Sequence, residues 1–502
     1  MKKKKKSQKN SNIEIRKTSK FGNFREIFRR VFFLLLFSII IGALFIFKFK
    51  SKEIINILQS NANTIQYSLP ELKNCMVHKI IGTRDGQFAL VGLKERTNRS
   101  EFQNRTTTNR VSDRNYNAFI AKIDLNAEKG KNIVFFGEYG GKGVDFFNDI
   151  IETQNGCLIA SGFTEGLGNS LEPYQGYNWI LKIDPLQRKA ELENKNEVVF
   201  SKCYDMEYGL FQKMAESDGK LFFYTVPYKA NYSSEKSLSN LETFYKKLVP
   251  HDLRRYNNEP VPSQGYIIGI DPSIKNGIFF NKVFGNNYDS YVFTDMLKAK
   301  NGNLILSGIY NSKKMDKSHP EIDVENNYQG GNDGFIMEFS PYTKSVAFFK
   351  CYGEKKNDKF YQILQCHDES FVVVGRRQSA EKRKLPRLWV LKTYLNNKYI
   401  FSKTYDRFDI LSDFESSFVE NQLGGLNFLS IARSKKVIKL SNISSRNAKF
   451  NKHKPILDTT DRFFDCCMMT KTKEGEVVAV IRNYAGLNIY LIPIKDNQKI
   501  IK

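Results

Sequence analysis

A short pattern recurs along this chain: a turn pair such as Asn-Gly or Asp-Gly, a run of apolar residues, and often a closing glycine. The copies are DGQFALVG (85–92), NGCLIASG (155–162), NGNLILSG (301–308) and DESFVVVG (368–375), with weaker versions in DGKLFFYT (218–225), GGLNFLSIA (424–432) and EGEVVAVI (474–481). Turn residues that lead into short apolar runs are typical of antiparallel β-strands. Repetition of such a strand indicates a fold built from one β unit used many times.

Three further strand-like runs accompany the motif in a fixed order. A run that starts near an aromatic pair precedes it, as in DFFNDIIET (145–153). A run such as NWILKID (178–184) follows it, and the unit closes with a run such as SVAFFKCYG (345–353). Four short strands per unit, repeated at roughly 50 to 85 residues, are typical of the blades of a β-propeller.

The seventh unit ends after its third strand, whereas NTIQYSLPEL (63–72) stands alone before the first unit and matches the closing-strand pattern. An unpaired sheet edge favours aggregation, and closing the ring removes it. The sequence therefore predicts an all-β fold, a seven-bladed β-propeller of four-stranded antiparallel blades over residues 63–502, in which residues 63–69 complete the last blade.

The order of these runs resembles the repeats of bacterial surface β-propellers, which read DGGYLLAG, AWLLKLD and WxKxYGG. The resemblance covers residues 63–502 and is clearest in the second, fourth and fifth units, although the second glycine and the tryptophan of that pattern are mostly absent. It implies an architecture rather than an activity, because propellers include enzymes, lectins and scaffolds.

The segment VFFLLLFSIIIGALFIF (31–47) is uncharged and is flanked by Arg29, Arg30 and Lys48. At 1.5 Å per residue it makes about 26 Å of helix, enough to span a bilayer of roughly 30 Å when flanking lysines reach the interface. We expect a transmembrane helix at 31–49, a basic tail at 1–30 and a linker at 50–62. A cleaved signal peptide is the alternative, but no cleavage pattern follows the apolar run. The basic tail predicts a cytoplasmic N-terminus and an extracytoplasmic propeller in a single-pass cell-membrane protein.

The chain has 78 Lys and Arg against 53 Asp and Glu, a net charge of +25. Such an excess favours anionic partners. We expect a protein partner or an anionic envelope polymer and no nucleic acid, since nothing in the basic tail alternates with aromatic residues. The odd number of cysteines, seven, indicates no disulfide framework. Neither a cofactor nor a metal is predicted, because the histidines and cysteines have no ligand spacing.

Nearly all the long insertions fall between the second and third strands of the units, and these connections emerge on one face of a propeller. They cover residues 94–115, 163–177, 226–263, 309–331 and 376–387. Long loops on one face of a rigid scaffold are the usual place for recognition. The last of them, RRQSAEKRKLPR, is the most basic, and its predicted ligand-binding residues are Arg376, Arg377, Lys382, Arg383, Lys384 and Arg387. The alternative is a solvated loop without a ligand.

No catalytic motif emerges, and we predict no catalytic residue. The glycine-rich GEYGGKG (137–143) lacks the Lys-Ser/Thr ending of a phosphate loop and is interpreted as a turn between blades. Asp124, Asp184 and Asp271 follow third strands and are expected to cap the next turn. The favoured function is a non-enzymatic binding or assembly platform. The alternative is a carbohydrate-active enzyme or lectin that acts on wall or host glycans through tyrosines of the long loops.

Overall fold

A computed structural model of the chain describes residues 65–492 with gaps. The residues outside the description are 1–64, 73, 97–115, 129, 142, 166, 168–175, 187–196, 206–208, 227–263, 275–276, 287–288, 313–328, 379–386, 396–398, 406–417, 422–423, 433–436, 445–448, 459–465, 473–476, 484–485 and 493–502. The predicted tail, transmembrane helix and linker therefore lie outside the described residues. Within the described part, no helix is both long and apolar enough to cross a bilayer.

The described residues form β-strands and one 3-10 turn, Pro70–Leu72. The strands of the first half are β1 (Ile65–Ser68), β2 (Cys75–Gly82), β3 (Phe88–Glu95), β4 (Tyr116–Ile123), β5 (Ile133–Tyr139), β6 (Asp145–Glu152), β7 (Leu158–Thr164), β8 (Tyr177–Ile183), β9 (Val198–Tyr204), β10 (Leu210–Ser217), β11 (Lys220–Val226), β12 (Gly265–Ile270) and β13 (Ile278–Phe284).

The strands of the second half continue in the same order. They are β14 (Asp289–Lys298), β15 (Leu304–Ser312), β16 (Asp333–Ser340), β17 (Ser345–Tyr352), β18 (Asp358–Gln365), β19 (Phe371–Arg377), β20 (Arg387–Thr393), β21 (Tyr399–Tyr405), β22 (Phe418–Glu420), β23 (Leu426–Ala432), β24 (Val437–Ile443), β25 (Phe450–Asp458), β26 (Cys466–Lys471), β27 (Val477–Asn483) and β28 (Gly486–Ile492).

Among the described strands, six sheets each consist of four consecutive antiparallel strands, from β2–β5 to β22–β25. We number these blades 1 to 6 in chain order. A further four-stranded sheet is composite, because β26, β27 and β28 are joined by β1 from the start of the described chain. Ile65 pairs with Leu491 and Ser68 with Asn488. Residues from the beginning and the end of the described part of the chain thus share one sheet.

The first strands of the sheets contact one another in the order β2, β6, β10, β14, β18, β22 and β26, and β26 also contacts β2. The apolar core lies between neighbouring sheets. Phe147 of blade 2 packs on Trp179 with ring centroids 4.6 Å apart, in one buried cluster with Val91 and Ile120 of blade 1. Four-stranded antiparallel sheets arranged in this way define a β-propeller, and the predicted fold class is confirmed at that level.

The closing glycine of the recurrent motif has a steric cause. In blade 2, Phe147 pairs with Gly162 and Asp149 with Ser161, so Asn148 is an extra residue that forms a β-bulge. A Cβ atom on Gly162 would lie 2.0 Å from the carbonyl oxygen of Phe146. Gly92, Gly308 and Gly375 oppose bulges in the same way. The motif therefore keeps glycine because the bulged first strand approaches too closely for any side chain.

The bulges supply polar groups that connect neighbouring first strands. His78 Nδ1 donates a hydrogen bond of 2.7 Å to the Phe147 carbonyl oxygen, and Asn148 Nδ2 donates one of 3.2 Å to the Phe211 carbonyl oxygen. In blade 5, Gln362 Nε2 donates to the Phe418 carbonyl oxygen over 3.3 Å.

Carboxylates that follow the bulges add to these links. Asp149 Oδ2 accepts the Met214 N–H at 2.8 Å, and Asp295 Oδ2 accepts the Ile363 N–H at 2.9 Å. Buried backbone groups at the inner edge of one blade are thus satisfied by side chains of the preceding blade.

The turn assignments are confirmed. Asp124, Asp184 and Asp271 each accept, through Oδ1, the backbone N–H two residues ahead, at 2.8, 3.0 and 2.9 Å. The segment 137–143 spans the end of β5 and its connection to β6, as expected for a turn between blades.

Candidate functional site

Antiparallel strands place the connection from second to third strand, and the connection from each blade to the next, at the same end of the sheets. We call this end the loop face and the opposite end the turn face. The longest connections between described strands, such as those from β11 to β12 and from β3 to β4, lie on the loop face.

The predicted basic residues lie on the loop face of blade 5. Arg376 and Arg377 end β19, and Arg387 begins β20, where it pairs with Arg377 across the sheet. Lys382, Arg383 and Lys384 lie outside the described residues. The structure therefore brings three of the six predicted residues together.

Arg377 is committed to the protein itself. Its guanidinium carbon lies 4.1 Å from the ring centroid of Trp389, Nη1 donates a 3.1 Å hydrogen bond to Glu354 Oε1, and Nε lies 3.8 Å from the carboxylate of Asp358. The side chain is only 16% exposed. These contacts favour a structural role for Arg377, because binding an external anion would have to compete with all three.

Sequence reasoning missed three lysines at the same place. Lys355 and Lys356 are exposed in the connection from blade 4 to blade 5, and Lys359 pairs with Arg376 across β18 and β19. Burial, and secondarily the charge of Arg376, lowers the pKa of Lys359. The signal was present in GEKKNDK (353–359), but only the shared face connects it with the later loop. We call Lys355, Lys356, Lys359, Arg376, Arg377 and Arg387 the basic corner.

Two buried carboxyl groups lie beneath the basic corner. Asp333 begins β16 and Asp358 begins β18, and both are 0% exposed. Burial, with the charge of Asp358, raises the pKa of Asp333 to about 7, although the Gln329 N–H and Arg377 oppose the shift. Burial also raises the pKa of Asp358 to about 6. Both pKa values lie near neutrality, which is common at functional sites but also occurs in structural networks.

The hydrogen bonds of these carboxyl groups indicate that they organise the backbone. Asp358 accepts the N–H of Glu354 at 2.7 Å and the N–H of Gln378 at 3.0 Å. Asp145, at the equivalent start of β6, accepts the N–H of Gly141 at 2.9 Å. The repeated contact four residues upstream explains why an aspartate recurs at the start of these first strands.

The described residues contain no group of three or more His, Cys, Asp or Glu side chains arranged to hold a metal ion. Where the structure describes the side chain, Cys75, Cys157, Cys203, Cys351 and Cys366 are free thiols. Burial, with the charge of Asp333, raises the pKa of Cys351 well above its usual value. A buried thiol with a raised pKa is a poor nucleophile.

Comparison with known proteins finds no matching model of a protein family and no matching curated protein. Solved structures do match. The Dos1 propeller has a TM-score of 0.45 and 8% identity over 86% of this chain and 97% of that chain. Kuenenia stuttgartiensis hydrazine synthase has a TM-score of 0.43 and 8% identity over 84% of this chain and 96% of that chain.

The polysaccharide lyase Uly1 also matches, with a TM-score of 0.43 and 8% identity over 85% of this chain and 91% of that chain. The names of these proteins include enzymes of unrelated chemistry. Likeness at this level concerns the fold and carries no activity to this chain.

Proposed function

We propose that this protein is a membrane-anchored, extracytoplasmic β-propeller of seven blades, six continuous and one composite, which serves as a non-enzymatic binding or assembly platform. The placement of its long connections on the loop face is the observation that carries the proposal. A rigid scaffold with its variable segments on one face is suited to recognition.

The basic corner supports an anionic partner, either an acidic protein surface or an anionic envelope polymer. Lys355 and Lys356 are exposed and Arg376 is half-buried. Because the carboxyl groups beneath them have raised pKa values, those acids neutralise the corner less than ordinary aspartates would. Lys382, Arg383 and Lys384 add positive charge to the connection from β19 to β20, which follows Arg376.

Retention of the full-length, detergent-solubilised protein on immobilised heparin, used as a general polyanion, tests the face. One variant replaces Lys355, Lys356 and Arg376 by Gln, and a second replaces Lys382, Arg383 and Lys384. We expect both to elute at lower salt than the unmodified protein, since each exposed ion pair contributes about 0.2–1 kcal/mol at low salt and is screened as salt rises.

The matched control replaces Lys131, Lys300 and Lys344 by Gln, which removes the same charge from connections on the turn face. Lys131 and Lys300 are exposed, with side-chain exposures of 76% and 57%. If the control elutes as early as the two loop-face variants, only net charge matters and the assignment to the loop face is wrong.

Topology is tested separately, with external protease added to intact cells. The anchor at 31–49 and a cytoplasmic tail at 1–30 predict cleavage of the propeller and protection of an epitope placed in the tail. Protection of both parts would contradict the extracytoplasmic location.

A further inference from the structure

Asp333 and Asp358 connect three segments of the loop face. Asp333 Oδ2 accepts the N–H of Gln329 at 2.8 Å, which fixes the end of the connection from β15 to β16. Asp358 fixes Glu354, in the connection between blades 4 and 5, and Gln378, the residue after β19. Two side chains thus set the backbone at the base of two long connections and one blade junction.

The charges around Asp333 do not balance. Asp358 of β18 is a like charge, and Arg377 of β19 is the opposing one. Arg377 also lies within ion-pair distance of both Asp358 and Glu354. One guanidinium therefore serves three carboxyl groups.

Two buried titratable neighbours of Asp333 stay neutral and supply no compensating charge. Tyr310 of β15 is the cross-strand partner of Asp333, and Cys351 of β17 interacts with its charge. Burial raises the pKa of both side chains. Lys355 and Lys356 of the blade junction are exposed, so solvent screens their charge.

One oxygen of Asp333 has no hydrogen-bond partner although it is buried. This oxygen, Oδ1, faces the backbone of Gly353, where a Cβ atom would lie 2.0 Å away. A protonated carboxyl tolerates that environment. An ionised one is a buried negative charge with the Gln329 N–H on Oδ2 and no donor on Oδ1, which is costly unless the surrounding backbone moves to admit water.

We propose that Asp333 and Asp358 form a proton-operated latch, which holds Gln329–Asp333 and Gly353–Asp358 closed when Asp333 is protonated and loosens them when it ionises. The direction follows from proton linkage. The closed form holds a proton on Asp333 up to about pH 7, whereas an opened, solvated aspartate loses it near its ordinary pKa. Closure is therefore most stable in acid and weakens as pH rises through neutrality.

Between pH 6 and pH 8, Asp333 alone raises the opening equilibrium about tenfold, because opening releases about one proton at pH 6, about half a proton at pH 7 and almost none at pH 8. The consequence for recognition rests on the proposed function: the residues of the loop face that bind a partner would be better ordered in a mildly acidic environment. The latch itself requires no ligand.

Hydrogen exchange of the full-length protein at pH 6 and pH 8, corrected for the intrinsic rate, tests the latch. Amides of residues 329–333 and 353–358 should show about tenfold more opening at pH 8, and D333N, which mimics the protonated form, should remove most of the difference and leave the smaller contribution of Asp358. The turn at 83–87 is an internal control, because the pKa of Asp85 is lowered and the group is ionised at both pH values.

Equal opening at both pH values in the unmodified protein, or an undiminished difference in D333N, would overturn the latch. If D333N does not fold, D358N provides the second test. Loss of the like charge at Asp358 should move the transition of Asp333 to lower pH, and an unchanged midpoint would refute the coupling. No ligand enters these measurements, so failure of the latch and failure of polyanion binding are distinguishable.

Discussion

Replacing Gly162 by Ala tests the explanation given for the recurrent motif. No left-handed φ is recorded for Gly162, so alanine can adopt its backbone conformation. The added Cβ would nevertheless lie 2.0 Å from the Phe146 carbonyl oxygen and 2.6 Å from Phe147 Cα. Both atoms belong to the backbone, so no rotamer change relieves the contact.

The magnitude follows from the separation required. Ordinary contacts of a Cβ atom begin at about 3.4 Å, so β6 and β7 must move apart by more than 1 Å at their bulge. Overpacking usually costs about 1–3 kcal/mol. Because this contact is with backbone and disrupts a strand pair as well, we expect a loss of about 3–4 kcal/mol in the free energy of unfolding.

Urea unfolding, combined with hydrogen exchange of β6 and β7, measures the loss. Gly156→Ala is the matched control in the hairpin that joins these strands. Gly156 has a φ of +82° but open space around it, so the cost there is backbone strain of about 1 kcal/mol. Gly375→Ala, with its Cβ 1.8 Å from the Lys359 carbonyl oxygen, should repeat the large effect. Equal losses for Gly162→Ala and Gly156→Ala would refute the steric argument.

Three further outcomes are expected. Burial raises the pKa of Asp85, but hydrogen bonds from Lys122, Thr83 and Gln87 lower it overall. D85N should therefore lower the free energy of unfolding at pH 7. In acid-unfolding titrations the difference between D85N and the unmodified protein should vanish as pH falls below 4. R377A removes the positive charge that lies beside Asp358 and over the ring of Trp389. It should therefore lower the free energy of unfolding by about 2–3 kcal/mol and alter tryptophan emission. R376Q should leave the stability and the emission unchanged. Cys351 should resist thiol reagents at pH 8 in the folded protein and react in urea, and rapid native labelling would contradict its burial.

The strands could be predicted because their signal is local. Runs such as 155–162 and 178–184 carry both turn residues and apolar residues, and they became the β7 and β8 strands. The first strands of blades 1 and 3, β2 and β10, and the short β22 of blade 6 were missed. β10 contains a bulge at Gln212, which is followed by Lys213, and both side chains are buried. Two polar residues in the middle of the strand interrupt the apolar pattern by which the other strands were found.

The site was predicted only in part, since its residues meet through the fold. The basic loop at 376–387 was visible as a charge cluster, but Arg377 contacts Glu354 and Trp389 rather than solvent. Asp333 and Asp358 lie 25 positions apart, and no pattern marks them as neighbours. Burial created their raised pKa values, and burial of a single polar residue is a property of packing that composition does not reveal.

The composite sheet makes the beginning and the end of the described chain depend on each other. Ile65 finds Leu491 only after all six continuous blades have been synthesised, and contacts between such distant positions slow folding. Among the described strands, β1 is synthesised first and remains unpaired longest, because its partner β28 is synthesised last. An unpaired strand edge favours aggregation, so β1 is where chaperone protection would be needed. A nascent chain that stops before β28 lacks the strand that lies between β1 and β27. Even a short truncation there would leave β1 and β27 each with an unpaired edge.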